Sequence, residues 1–131
     1  MKKTITIGLA VTMLFALTAS SPVAAHERTA TTRISIRPKA KTIDEGDRVK
    51  FRGKLKSEWE KCFAHQTVTL YKGGTPILSK TTSSTGSYRF TRRPKNTNTW
   101  TVRYAGRSFG THPHVHRCLS SQSKDSVITV E

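Results

Sequence analysis

At 131 residues the chain has room for one domain, which excludes a multidomain architecture. Its 23 Lys and Arg outnumber 8 Asp and Glu, for a formal charge of +15 at pH 7. Solubility needs only a modest, mixed-sign charge, so this excess points toward anionic partners and away from cationic ones.

Lys2 and Lys3 precede an apolar run from Ile5 to Leu17, followed by Ser20, Ser21, Pro22, Val23, Ala24 and Ala25. A charged start, an apolar centre and small residues at Val23 and Ala25 mark a secretory signal peptide. The run falls short of the roughly 20 residues of a membrane span. We therefore expect a signal peptide at 1–25, cleavage after Ala25, and a soluble domain at 26–131 that begins on His26. Its destination would be extracytoplasmic: extracellular space, cell wall or periplasm.

A domain of this size buries only about 60–70% of its unfolded surface and gains from a covalent staple. The chain has 2 cysteines, Cys62 and Cys118. An even number in an exported chain suggests a disulfide. Two free thiols, or half of a metal site, are the alternatives.

Strand signals fill the rest. In 32–37, Ile34 and Ile36 face inward and Arg33 and Arg37 outward, with Pro38 closing the segment. A turn follows at Asp44, Glu45, Gly46 and Asp47. In 48–56, Val49, Phe51, Gly53 and Leu55 share one face, while Arg48, Lys50, Arg52, Lys54 and Lys56 share the other. Strict alternation of this kind marks a strand with one buried face. Residues 57–65 read as a loop carrying Trp59 and Cys62. A third strand at 67–71 leads into the tight-turn pair Gly73 and Gly74. Residues 76–79 read as an edge strand, because Pro76 has no N–H for a ladder.

The largest apolar contribution comes from 85–106. Tyr88 and Phe90 alternate with Ser87, Arg89 and Thr91; Trp100, Val102 and Tyr104 alternate with Thr101 and Arg103. The two segments flank the turn formers Pro94, Lys95, Asn96, Thr97 and Asn98 and read as a hairpin. Residues 107–124 read as a long loop with the histidines and Cys118, and 126–130 as the last strand. The expected core is Ile34, Ile36, Val49, Phe51, Leu55, Val68, Leu70, Tyr88, Phe90, Trp100, Val102, Tyr104, Ile128 and Val130. Seven short strands with one apolar face each predict an all-β, antiparallel β-sandwich; a small closed barrel is the alternative.

The strands at Val49–Gly53 and Val68–Tyr71, and above all 85–90 followed by 100–104, resemble those of bacterial secreted immunoglobulin-like (Ig-like) domains. The resemblance covers the whole of 26–131 and implies a seven-stranded Ig-like sandwich. It departs from antibody-type domains: the cysteines lie outside the facing strands, and the third strand lacks a tryptophan. In such a sandwich the loops holding Cys62 and Cys118 share one end, which favours a Cys62–Cys118 bridge. Similar domains serve in adhesion, spacing or binding, and imply no catalytic residues.

The same arrangement would put the first, second and fifth strands in one sheet. Arg33, Arg37, Arg48, Lys50, Arg52, Lys54, Lys56 and Arg89 would then form one basic outer surface suited to polyanions. Cell-envelope polymers, anionic lipid surfaces or acidic polysaccharide are the expected partners, and nucleic acid is not expected for an exported chain. The alternative function is copper or zinc binding by His112, His114 and His116, joined by His26 at a processed N-terminus, with His65 near the same cysteines. Alternating histidines on an extended segment project to one side, and imidazole suits these metals. The carboxylates Asp44, Glu45 and Asp47 crowd one turn, and the serines lack a nucleophile-elbow context. The expectation is a non-enzymatic binding module with no required cofactor.

Overall fold

The structure, a computed structural model, describes residues 27–131. The expected signal peptide at 1–25 and His26 lie outside the described residues. The strands are β1 (Arg28–Ala30), β2 (Thr32–Ile34), β3 (Arg37–Pro38), β4 (Thr42–Ile43) and β5 (Val49–Ser57). After a 3-10 turn at Glu60–Cys62 come β6 (Thr67–Lys72), β7 (Thr75–Thr81), β8 (Ser87–Arg92) and β9 (Asn98–Tyr104). The last four are β10 (Arg107–Phe109), β11 (His116–Cys118), β12 (Ser121–Gln122) and β13 (Ser126–Val130). The described residues are all-β, and none of their helices is long and apolar enough to cross a membrane.

Two larger sheets face each other across one core. In the first, β5 is central, with β2 and β3 antiparallel to it along one edge and β8 along the other. The second runs β4-β13-β9-β6-β7, with β12 also paired to β9. Val49, Phe51 and Leu55 of β5 and Trp100 and Val102 of β9 are buried together in one cluster. The rings of Phe51 and Trp100 meet at 5.1 Å between centroids. Burying side chains of this size contributes about 1.5–3 kcal/mol each. Every expected core residue is buried except Ile36 and Val130, which are partly buried and pack against the cluster. Ala30, Ile43, Cys62 and Cys118 join it as well. As expected, β7 is an edge strand, and Gly73 and Gly74 turn the chain with positive φ.

Four sequence expectations are corrected. The first strand is split into β2 and β3. Between them the hydroxyl of Ser35, in place of a backbone carbonyl, accepts the Lys54 N–H at 3.0 Å. The Ser35 carbonyl instead accepts the Tyr88 hydroxyl. The segments at 85–90 and 100–106 form no hairpin: β8 pairs with β5 in one sheet, and β9 with β6, β12 and β13 in the other. Alternation fixes which face is buried but leaves the partner open. Residues 107–124 hold β10, β11 and β12, and β1, β11 and β10 form a small third sheet. These strands are too short and polar to show a period. Their backbone groups nonetheless need partners, and they find them along Ala30 and Cys118. Pairing is also not wholly antiparallel, since β1 with β11 and β4 with β13 run parallel.

The disulfide joins Cys62 to Cys118 with an S–S distance of 2.04 Å. It ties the 3-10 turn to β11, and so the third sheet to the core. Gly53 meets a different demand. A Cβ there would collide with the Ser35 carbonyl and the Tyr88 ring, which fills the space a side chain would occupy.

Two measurements check these points. Cys118→Ser should lower the unfolding free energy in denaturant by about 2–5 kcal/mol, in line with the roughly 4 kcal/mol expected from closing a loop of this length. Gly53→Ala should cost about 1–3 kcal/mol through overpacking, and Tyr88→Phe should not rescue it, because the ring remains.

Candidate functional site

The register of the first sheet assembles the basic face. Arg33 stands opposite Lys56. Arg52 stands between Arg37 on β3 and Arg89 on β8, so three arginines form a row across three strands. Lys54 lies opposite Ser87, and Lys50 opposite Thr91. Arg33, Arg37, Arg48, Arg52, Lys54, Lys56 and Arg89 are exposed, and Lys50 is half-buried. The structure thus brings seven of the eight expected residues to one side of one sheet, and Arg48 precedes β5 beside Arg92 and Arg93. The ion pair seen among the described residues, Arg117 with Glu27 at 2.8 Å, lies at the third sheet and neutralises none of them.

Shallow hollows open between these side chains. One of ≈ 350 Å³ is bounded by Arg37, Arg52, Lys54 and Lys56. A second of ≈ 520 Å³ lies between Arg52, Arg89 and Lys80. A third of ≈ 330 Å³ is lined by Arg48, Arg92 and Arg93. Lys80, Arg92 and Arg93 were missed by sequence reasoning. Arg92 and Arg93 continue the charge run at the end of β8 and were open to detection. Lys80 belongs to the edge of the other sheet, and no local pattern places it here.

Beneath this face Tyr88 donates to Ser35 and packs its ring 5.5 Å from that of Phe90. Burial raises its pKa well above the ordinary value of 10.0. In the second sheet the Tyr104 hydroxyl donates to Gln66 Oε1 at 2.9 Å. Burial raises the Tyr104 pKa, with the nearby positive charge of Arg107 opposing the shift.

The histidines are arranged otherwise than an extended ligand strand requires. The His114 N–H donates to the Thr111 carbonyl at 2.8 Å, which closes a turn. His116 stacks on Phe109 at 5.1 Å and meets Trp59 edge-on at 5.5 Å. His112 is exposed. His65, His114 and His116 border an open cleft with Lys61 and Arg107. Among the described residues no three His, Cys, Asp or Glu side chains come together as a metal-binding group. The set His112, His114 and His116 is therefore not assembled, and His26 lies outside the described residues. Two cations, Lys61 and Arg107, approach the Phe109 ring at 5.1 and 5.7 Å.

No protein-family model matches the chain, and no curated protein matches it. Among solved structures it is similar to the CARDB domain of a Pyrococcus furiosus protein, with a TM-score of 0.47, 8% identity, and coverage of 79% of this chain and 96% of that one. It is also similar to a superoxide reductase (neelaredoxin) from Ignicoccus hospitalis, with a TM-score of 0.44, 10% identity, and coverage of 74% and 80%. A conjugative transposon lipoprotein from Bacteroides eggerthii follows at 0.38 and 13%, with coverage of 71% and 96%. At these scores the likenesses carry no activity over to this chain.

The raised Tyr88 pKa has a consequence for stability. A folded-state pKa above the unfolded one contributes stability that is intact below pH 10.0 and is lost as pH rises beyond it. Unfolding free energy should therefore fall above about pH 10, and Tyr88→Phe should reduce that slope, with Tyr104 contributing in the same direction. Denaturant midpoints measured across this range check it; identical slopes would assign the loss to other groups.

Proposed function

We propose that the chain is a secreted, non-enzymatic binding module of Ig-like sandwich form that docks its basic sheet face on an anionic polymer or surface of the cell envelope. The observation that carries this reading is the row Arg37, Arg52 and Arg89 across adjacent strands. Like charges directly opposite each other on a sheet are destabilising. Folding alone gives no reason to align them, whereas an anionic polymer repays the alignment by neutralising several at once. Hollows between the cations offer places for successive carboxylate, phosphate or sulfate groups. A charged outer face also guards a sheet against stacking on another, but isolated lysines of mixed register would serve that purpose without repulsion.

Arg48, Lys50, Arg52, Lys54 and Lys56 are the main contacts in this reading, with Arg33, Arg37 and Arg89 extending the surface. Export through a signal peptide at 1–25 is part of the proposal and directs attention to envelope polymers rather than nucleic acid.

Heparin and phosphatidylglycerol vesicles serve as probes. Binding should weaken steeply as salt rises, because counterion release supplies its free energy. Each Lys or Arg near an anionic surface is worth about 1 kcal/mol, so the double reversal Lys50→Glu and Arg52→Glu should weaken binding at least about tenfold. Salt-insensitive binding, or none to either probe, would overturn the reading.

A further inference from the structure

A second candidate site lies on the outer face of the other large sheet. There Arg103 of β9 is flanked by Thr69 of β6 on one side and Gln122 of β12 on the other. Its guanidinium lies over the ring of Tyr71, with Cζ 4.2 Å from the centroid. Thr67, Ser121 and Arg107 complete the rim of a groove of ≈ 440 Å³. No carboxylate lines this groove. Arg103 Nε is buried without a hydrogen-bond partner.

These features fit together chemically. The Tyr71 ring covers one face of the guanidinium, and Nε is buried, leaving the terminal Nη N–H groups as the available donors. A fork held in this way is preorganised for a planar carboxylate, which accepts two parallel hydrogen bonds. No protein carboxylate lines the groove to relieve the charge of this guanidinium. Around the fork stand Thr67, Thr69 and Gln122; the Thr69 hydroxyl is shared with Ser79 at 2.7 Å, and the Ser121 hydroxyl is taken up by Thr32. These can donate and accept, so they match a ligand that carries hydroxyls beside its carboxylate. The volume is at the small end of the range for ligand sites, which is about 300–1,000 Å³.

We infer that this groove is a binding subsite for a carboxylated monosaccharide unit, a uronate, with Arg103 holding the carboxylate and Thr69 and Gln122 the neighbouring hydroxyls. It is separate from the basic face, which belongs to the opposite sheet. The basic face answers to charge density along a polymer, whereas this groove answers to the geometry of one sugar.

Calorimetric titration of the full processed chain with galacturonate, galactose and inorganic phosphate tests the inference. Galacturonate should bind saturably, with galactose and phosphate each at least tenfold weaker. Arg103→Lys keeps the charge but removes the fork and should weaken galacturonate at least tenfold. Gln122→Ala, at an exposed position, should weaken it severalfold and serves if Arg103→Lys does not fold. The double reversal Lys50→Glu and Arg52→Glu should leave galacturonate affinity unchanged while heparin binding falls, so the two readings fail separately. Absence of saturable galacturonate binding would overturn the inference. So would galactose or phosphate binding as tightly as galacturonate, or unchanged affinity in the folded Arg103→Lys and Gln122→Ala variants.

Discussion

Phe51 and Trp100 meet at the point where the two large sheets face each other, with ring centroids 5.1 Å apart. Each belongs to a strand that is paired along both edges, so neither strand can shift without breaking two ladders. Because strand side chains alternate, seating Phe51 inside also seats Val49 and Leu55 inside. By the same rule Lys50, Arg52, Lys54 and Lys56 must stand outside. Slipping β5 by one residue would bury its cations and expose its apolar side chains, which neither half of the molecule tolerates. One packing contact therefore sets both the core and the basic face. The Trp100 indole N–H is buried without a partner, a cost of about 1–3 kcal/mol that the surrounding packing has to offset.

The disulfide solves a different problem. Strands β10, β11 and β12 are two or three residues long and carry few apolar side chains. On their own they could not bury enough surface to order residues 107–124. Cys118 is anchored to Cys62, and β11 is held between β1 and β10. That places Arg107 and Phe109 at fixed positions at one end of the second sheet. Arg107 borders both the cleft near His116 and the groove around Arg103. The staple thus supports the walls of two cavities as well as the fold.

Legibility in the sequence followed strand length and polarity. The alternation of β5, β8 and β9 was long enough to give the buried face directly, and with it much of the core and Lys50, Arg52, Lys54, Lys56 and Arg89 of the basic face. Partner choice was not legible. Tyr88 and Trp100 look like halves of one hairpin because they flank turn formers, yet their strands belong to different sheets. Ile43 escaped notice because β4 has only two residues and draws its order from a parallel neighbour, β13. His112, His114 and His116 suggested a shared direction that holds only on an extended backbone, and the turn closed by Thr111 and His114 removes it. The groove around Arg103 was invisible for a further reason. Thr69, Tyr71, Arg103 and Gln122 come from three segments, and only the register of the second sheet makes them neighbours.

The two outer faces place opposite demands on stability. On the first sheet, cross-strand repulsion among Arg37, Arg52 and Arg89 opposes folding, and added salt relieves it. A polyanion relieves it more effectively, because it binds the folded arrangement and not the dispersed charges of an unfolded chain. By linkage, such a ligand stabilises the fold to the extent that it is bound. On the second sheet the single charge of Arg103 is already held by Tyr71, so a ligand there meets a prepared site and has little repulsion to relieve. On the proposed function the first face would gain affinity from charge accumulated across strands and sacrifice stability to have it. The second would gain it from one oriented fork at little cost to the sheet. The buried cluster around Phe51 and Trp100 lies beneath the first kind of surface, and its burial is what offsets the repulsion above it.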